Sequence, residues 1–497
     1  MEYVSTRDRS LRVSAAKAIA TGIAPDGGLF CPTEFPQLSS GEWQALTGMD
    51  YKARAAFVLG KYLTDFTAEE LKGFADKAYA DKKFGGADTA PVVKLADGKY
   101  MLELWHGPTC AFKDMALQML PHLLTASLRK TGETRTACIL VATSGDTGKA
   151  ALDGFADVPG TKIMVYYPVD GVSTIQKLQM VTQEGANVAV CAIRGNFDDA
   201  QSAVKRIFTD KGTLDKLDRE GLTLSSANSI NWGRLAPQIA YYISAYCDLV
   251  NRGEIKMGDP INVCVPTGNF GNILAAYFAK QMGLPVNKFI CASNQNNVLT
   301  DFFKKGGTYD RNRDFYTTAS PSMDILISSN LERLLFYVSG QNDKAVAEMM
   351  ASLSSSGKYT LARELFARVE AEFDAGCADD AATAETIRRL FQQEHYLCDT
   401  HTAVAVKVYE DYRARTGDCT PAVIASTASP FKFCQSVIEA LGGTVDTDGV
   451  GLLGQLSGMT GVPAPAPLAA LAGKEPRFDM VVDKDDILST TGLLRDL

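Results

Sequence analysis

A chain of 497 residues, 46% of them hydrophobic, is too long for one compact core and has apolar material for two or three domains. Its 50 basic and 58 acidic residues are spread along the chain for a net charge of -8, which argues against nucleic acid or an anionic membrane as the main partner and leaves an anionic small substrate dependent on a local basic site. The 11 cysteines are scattered without a CxxC pair and only 4 histidines are present, which excludes a disulfide framework and a clustered metal site. No apolar run is long enough to span a bilayer and no basic-then-apolar signal opens the chain, so a cytoplasmic protein is expected.

Residues 1–90 read as a first, mostly helical domain. Ala15, Ala16, Ile19 and Ala20 recur at helical spacing, Pro25-Asp26-Gly27-Gly28 is a turn, and 43–79 is mostly helical. Residues 83–88, with Gly85 and Gly86, read as a junction. From about 100 onward short β-rich runs alternate with helical ones, which predicts an α/β fold of βαβ units with mainly parallel, twisted sheets. Strands are expected at 137–142, 162–167, 187–193, 222–225, 261–265, 288–292 and 422–425. Helices are expected from about 149, over 197–208, up to about 249, and over 273–282. Residues 340–415 read as charged and helical throughout, covering one sheet face. The tail after Gly451, with Pro463-Ala-Pro-Ala-Pro467, carries no visible chemistry.

Several segments carry candidate chemistry. In His106-Gly-Pro-Thr-Cys-Ala-Phe-Lys-Asp114, Lys113 stands at the entrance of a helix marked by Met115, Leu117, Met119, Leu120, Leu123 and Leu124. A cation gains nothing from the positive end of a helix, whereas a neutral amine is favoured there, and a neutral lysine suits an imine with an aldehyde cofactor. The alternative is a solvated lysine in a first turn. Gly268-Asn269-Phe270-Gly271-Asn272 joins a strand to a helix, so its amides and the helix end can receive a phosphate, or it is an ordinary tight turn. It matches neither GxGxxG nor a P-loop, which disfavours a dinucleotide or nucleoside triphosphate. Thr143-Ser144-Gly145-Asp146-Thr147-Gly148 can hold a carboxylate or simply cap a helix. Asn228, Ser229 and Arg234 suit capture of an anionic oxygen group, unless Arg234 is solvated or salt-bridged. His106 reads as a structural turn residue and Asp114 as a helix N-terminal charge.

Taken together, these segments, with Ser426-Thr427-Ala-Ser-Pro-Phe-Lys-Phe433, Tyr3-Val-Ser-Thr-Arg7 and Ala24-Pro-Asp-Gly-Gly-Leu-Phe30, resemble the threonine synthase family, pyridoxal-phosphate enzymes of the tryptophan-synthase-β fold type (fold type II). The resemblance runs from residue 3 to beyond 433, leaving no space expected for a transit peptide. It implies an N-terminal family-type domain at 1–90 and a two-lobed catalytic region at 91–497. By it, Lys113 would carry pyridoxal 5'-phosphate as a Schiff base and act as the catalytic base. Gly268, Asn269, Phe270, Gly271 and Asn272 would bind the cofactor phosphate, and Thr427 would face the ring nitrogen. Ser144, Asp146 and Thr147 would hold the substrate α-carboxylate, and Asn228, Ser229 and Arg234 the substrate phosphate, with Thr147 nearby. The implied substrate is O-phospho-L-homoserine, converted with water to L-threonine and phosphate by a monomer or small homo-oligomer, with no nucleic acid, membrane or metal. Open alternatives are a dehydratase or phospholyase without water addition, and a non-catalytic protein that keeps the fold for binding.

Overall fold

Apolar runs such as 137–142 are buried on both faces only in a sheet covered by helices on each side, and the computed structural model, which describes residues 1–86, 88–169 and 172–497, contains two such sheets. The five-stranded sheet runs in the order Val481–Asp483, Val188–Arg194, Thr161–Pro168, Thr136–Ala142, Leu222–Ser225, all parallel. The six-stranded sheet runs Phe373–Cys377, Val286–Ser293, Ile261–Pro266, Ala422–Ser426, Lys99–Glu103, Val92–Lys94, parallel except for its last strand. The expected α/β class with mainly parallel sheets is therefore what these strands form.

One expectation is corrected at a sheet edge. The region 340–415 is not helical throughout. Phe373–Cys377 is the edge strand of the six-stranded sheet, and Lys358–Thr360 pairs antiparallel with Thr308–Asp310. The helix Thr400–Thr416 does cover part of the sheet, packing on the strands at 261–266, 286–293 and 422–426. The tail is also structural, since Val481–Asp483 adds an edge strand beside Val188–Arg194. The signals are weak because an edge strand needs few residues and tolerates charge.

The helix Trp232–Asn251 is apolar around its circumference and accordingly buried along its length. Much of what covers it comes from the N-terminal region. Tyr3 packs on Trp232 at 5.4 Å between ring centroids, and Arg54 donates to Ser244 Oγ at 2.8 Å and Asp248 Oδ1 at 2.6 Å. The Tyr79 hydroxyl donates to Met115 O at 2.6 Å, and apolar residues of the N-terminal region lie in one cluster with parts of both large sheets. Helices there start as capping predicts, with capping boxes at Ser39 and Thr67. In the expected junction at 83–88, Gly85 ends the helix Asp81–Phe84 in the left-handed region, and residue 87 lies outside the described residues. No helix among the described residues is long and apolar enough to cross a membrane.

Candidate active site

Ligands of open parallel sheets gather at the carboxyl ends of the strands, and three neighbouring strands of the six-stranded sheet deliver their loops to one place. Ile261–Pro266 leads to Gly268–Asn272, Ala422–Ser426 to Thr427, and Lys99–Glu103 to the Lys113 turn. The Phe112 amide donates to Thr427 O at 2.8 Å, and Ser429 N to Cys110 O at 3.0 Å. Ser322 joins the third loop. Its hydroxyl is 3.5 Å from Lys113 Nζ, and its carbonyl is so near Gly268 that a Cβ there would meet it at 2.7 Å. From the other sheet, Thr136–Ala142 and Leu222–Ser225 bring Asp146 to 3.4 Å from Lys113 Nζ and Arg234 Nη2 to 3.5 Å from Thr147 Oγ1.

Lys113 is 9% exposed and starts the short helix Asp114–Leu117. Burial pushes its ammonium below the ordinary lysine range, with Arg234 and Lys432 acting in the same sense and Asp146 opposing them. Asp114 stands at the helix N-terminus as expected, but away from solvent. It is fully buried, accepts from Thr109 N at 2.8 Å and Thr109 Oγ1 at 2.6 Å, and leaves no space for a Cβ at Gly107, so it closes the turn that carries the lysine. Burial pushes its carboxyl up to about 7. A folded pKa above the unfolded value binds extra protons in the native state, so this contribution to stability is present below about 4 and lost as pH rises through about 7. Asp114→Asn, measured by urea unfolding from pH 4 to 8, should flatten that part of the profile. An unchanged slope would show that Asp114 does not titrate with folding. His106 meets Glu103 Oε2 at 2.7 Å.

In the loop 143–148 the Asp146 side chain is not among the groups left for a carboxylate. The Asp146 carboxylate is already engaged: Oδ1 takes Lys432 Nζ at 2.9 Å and Gln176 Nε2 at 2.8 Å, and Oδ2 faces Lys113. Against the cost of burial, Lys432 and Lys113 hold it far below the carboxylate range. What the loop offers is backbone. Thr143 Oγ1 accepts from Gly145 N at 2.9 Å and Gly148 N at 2.8 Å, while the amides of Asp146 and Thr147, in the first turn of Asp146–Phe155, have no intrahelical acceptor. Ser144 is half-buried beside them.

Phe270 likewise contributes only backbone. Its φ of 62° lies in the left-handed region and its ring sits in the core against Phe303 and Phe373. That turn aims the first-turn amides of Gly271–Gln281. Gly268 O accepts from Ser328 Oγ at 2.7 Å and Asn269 O from Asn330 N at 3.1 Å, which pins the loop. Asn272 Oδ1 accepts from the Tyr242 hydroxyl, and its Nδ2 is buried with no protein partner among the described residues.

Arg234 is 5% exposed and donates to Ala227 O at 2.8 Å, with no carboxylate paired to it among the described residues. Burial alone lowers its guanidinium to about 10. Ser229 meets Asn330 Nδ2 through its carbonyl at 3.3 Å, whereas the Asn228 side chain is exposed at the rim. Asn231, passed over in the sequence, is the helix cap, accepting from Gly233 N at 2.8 Å and donating to Ile19 O at 3.0 Å. Gln176, Ser322 and Lys432 were also missed. Lys432 stood in the Ser426–Phe433 segment and a lysine among apolar neighbours was its signal; Gln176 and Ser322 lie in no motif. No group of His, Cys, Asp and Glu among the described residues could hold a metal.

The donor set fits a phosphorylated aldehyde: a buried lysine amine, a helix N-terminus, and an unpartnered Asn272 amide.

Comparison with known proteins agrees with this geometry. Residues 2–79 match the family model described as threonine synthase N terminus, 100–426 that of pyridoxal-phosphate dependent enzymes, and 402–489 that of threonine synthase, C-terminal. The chain is 37% identical over 444 residues to threonine synthase of Pseudomonas aeruginosa, covering 88% of this chain and 90% of that one. It is 42% identical over 456 residues to human threonine synthase-like 1, covering 88% of this chain but 60% of the relative, so it spans little more than half the length of that protein. Its structure is similar to PLP-bound threonine synthase from Brucella melitensis, with a TM-score of 0.88, 36% identity, and 100% and 99% of the two chains covered. For threonine synthase from yeast the TM-score is 0.87, with 31% identity and 100% and 97% covered.

Proposed function

The chain belongs to the threonine synthase family, and from that membership we propose that it converts O-phospho-L-homoserine and water to L-threonine and phosphate, in the cytoplasm, with pyridoxal 5'-phosphate held at Lys113. The observation that carries the reading is electrostatic. Lys113 and Lys432 face one carboxylate, Asp146, and Arg234 stands near Lys113 with no acid partner among the described residues, so the buried site has an excess of cation. Such a site is made for a ligand with several negative charges.

When bound, pyridoxal phosphate supplies an electron sink for charge that develops at the substrate Cα. The protein supplies the rest. Lys113 serves as covalent anchor and then as base at Cα, and burial, which lowers its ammonium, favours the neutral amine that this transfer needs. Asp146 stands 3.4 Å away to receive the ammonium that results, while Lys432 keeps that carboxylate charged and fixed. The amides at the starts of Gly271–Gln281 and Asp146–Phe155 receive the cofactor phosphate and the substrate carboxylate. Arg234, with Thr147 and Ser229, receives the substrate phosphate and holds it as it leaves from Cγ with the C–O electron pair once a Cβ proton has been removed, and Cγ later takes up a proton to become the methyl group. The leaving phosphate then acts as acid or base when water adds at Cβ, so the site needs no second strong base of its own.

Product analysis with O-phospho-L-homoserine tests the reading. Threonine and phosphate in equal amounts are expected; oxoacid and ammonia would indicate a dehydratase-type or phospholyase reaction, and no turnover with cofactor bound would indicate a binding protein. Thr427 gives a finer test. Its carbonyl and amide are pinned to Phe112 and Thr402, and its hydroxyl bonds to no other protein group among the described residues, which leaves it to donate to the ring nitrogen. Thr427→Ser should keep most activity. Thr427→Asp replaces a neutral donor by an anion and should lower kcat on the order of 10²-fold with more side reaction at Cα. Normal turnover in the Asp variant would remove Thr427 from that role.

A further inference from the structure

The helix Thr400–Thr416 starts at Asp399, whose side chain is fully buried. As an N-cap its carboxylate accepts from His401 N at 2.9 Å and Thr402 N at 3.2 Å. An ordinary cap ends at those amides, and this one continues. Oδ2 also meets His401 Nδ1 at 2.7 Å, and Oδ1 accepts from the Thr402 hydroxyl. With its proton on Nδ1 toward Asp399, the imidazole presents Nε2 as an acceptor, and the Ser322 amide donates to it at 3.1 Å. Thr402 Oγ1 in turn accepts from the Thr427 amide at 3.3 Å. His401 is 3% and Thr402 0% exposed, so water does not compete for either bond.

Both arms end on the candidate seat of the cofactor. The Ser322 hydroxyl lies 3.5 Å from Lys113 Nζ and its carbonyl lies against Gly268, so its position bears on the lysine and on the phosphate loop together. Thr427 carries the hydroxyl left for the ring nitrogen, and its carbonyl takes the Phe112 amide at 2.8 Å. We propose that Asp399 is a positioning residue for the cofactor, setting two separate parts of its seat through the side chains of His401 and Thr402. This rests on the reading of Lys113 as the pyridoxal-phosphate lysine. Capping alone requires neither the imidazole nor the hydroxyl, and that difference is what an experiment can read.

His401→Leu removes the acceptor for Ser322, and the isosteric Thr402→Val removes the acceptor for Thr427. Both leave Asp399 capping the helix amides. His401→Gln places a carbonyl oxygen near the position of Nε2. The full-length apo-protein of parent and variants is titrated with pyridoxal phosphate, followed by absorbance and by borohydride trapping at Lys113, and thermal midpoints are taken without cofactor. A cofactor Kd raised about tenfold is expected for His401→Leu and for Thr402→Val, the share of one hydrogen bond. His401→Gln should recover most of the loss whatever its thermal midpoint. Parent-like affinity in both the Leu and Val variants, or equal losses for Leu and Gln at 401, would overturn the proposal. If His401→Leu does not fold, parent-like affinity of Thr402→Val alone does so. A parent that takes up no cofactor at Lys113 overturns the reading beneath it and this proposal with it, whereas tight parental binding with unaffected variants overturns the positioning alone.

Discussion

Replacing Lys113 by alanine should lower turnover of O-phospho-L-homoserine by at least about 10³-fold and abolish borohydride fixation of the cofactor, while leaving a folded protein. Covalent attachment and proton transfer at Cα fall on one amine, so both are lost together, and a positioned base alone is worth about 10² to 10⁴ in rate. The fold should survive for a reason visible in the site. Asp146 loses a partner at 3.4 Å but keeps Lys432 at 2.9 Å and Gln176 at 2.8 Å, so no unpaired buried carboxylate is left behind. Circular dichroism and thermal melting of the apo-protein check the fold, and single-turnover assays check the rate. Partial rescue by added small amines would place the defect at the missing base, whereas turnover within tenfold of the parent would remove Lys113 from the chemistry.

The central strands were legible in the sequence because each is an apolar run bounded by turn residues. Thr136–Ala142, Thr161–Pro168 and Ile261–Pro266 fall within a residue or so of their expected bounds. The edge strand Phe373–Cys377 was hidden because FDAGC carries an acid and a glycine, and its identity as a strand comes from pairing with Val286–Ser293, a contact distant in sequence. The site was legible in its loops, since glycines and capping residues at strand ends mark where backbone meets a ligand. It was not legible in side-chain direction. Nothing in Ser-Gly-Asp-Thr-Gly says that the aspartate turns toward Lys432, a residue 286 positions later whose burial is set only by tertiary packing. Nor does Gly-Asn-Phe-Gly-Asn say that its phenylalanine points into the core.

The Asp399 contacts were beyond reach of sequence reading for the same reason. Asp-Thr-His-Thr at 399–402 reads as an N-cap and nothing else, because the partners of His401 and Thr402 lie at Ser322 and Thr427.

Arg234→Met should reduce kcat/KM for O-phospho-L-homoserine by about 10² to 10³ while raising the thermal midpoint of the apo-protein. The first effect follows from losing a charge-assisted contact in a buried setting, worth about 2 to 5 kcal/mol. The second follows from what the arginine costs when no anion is present. Its guanidinium is 5% exposed, burial lowers its pKa to about 10, and no carboxylate pairs with it among the described residues, so an unbranched apolar side chain of similar length relieves a desolvation penalty. Only the phosphorylated ligand should feel the change, and binding of homoserine or threonine should move by less than about threefold. Inorganic phosphate gives an independent check: it should raise the melting temperature of the parent and have a much smaller effect on the variant. A variant that loses stability and binds both classes of ligand equally poorly would make Arg234 a packing residue tied to Ala227 O, and the substrate phosphate would have to be sought elsewhere in the site.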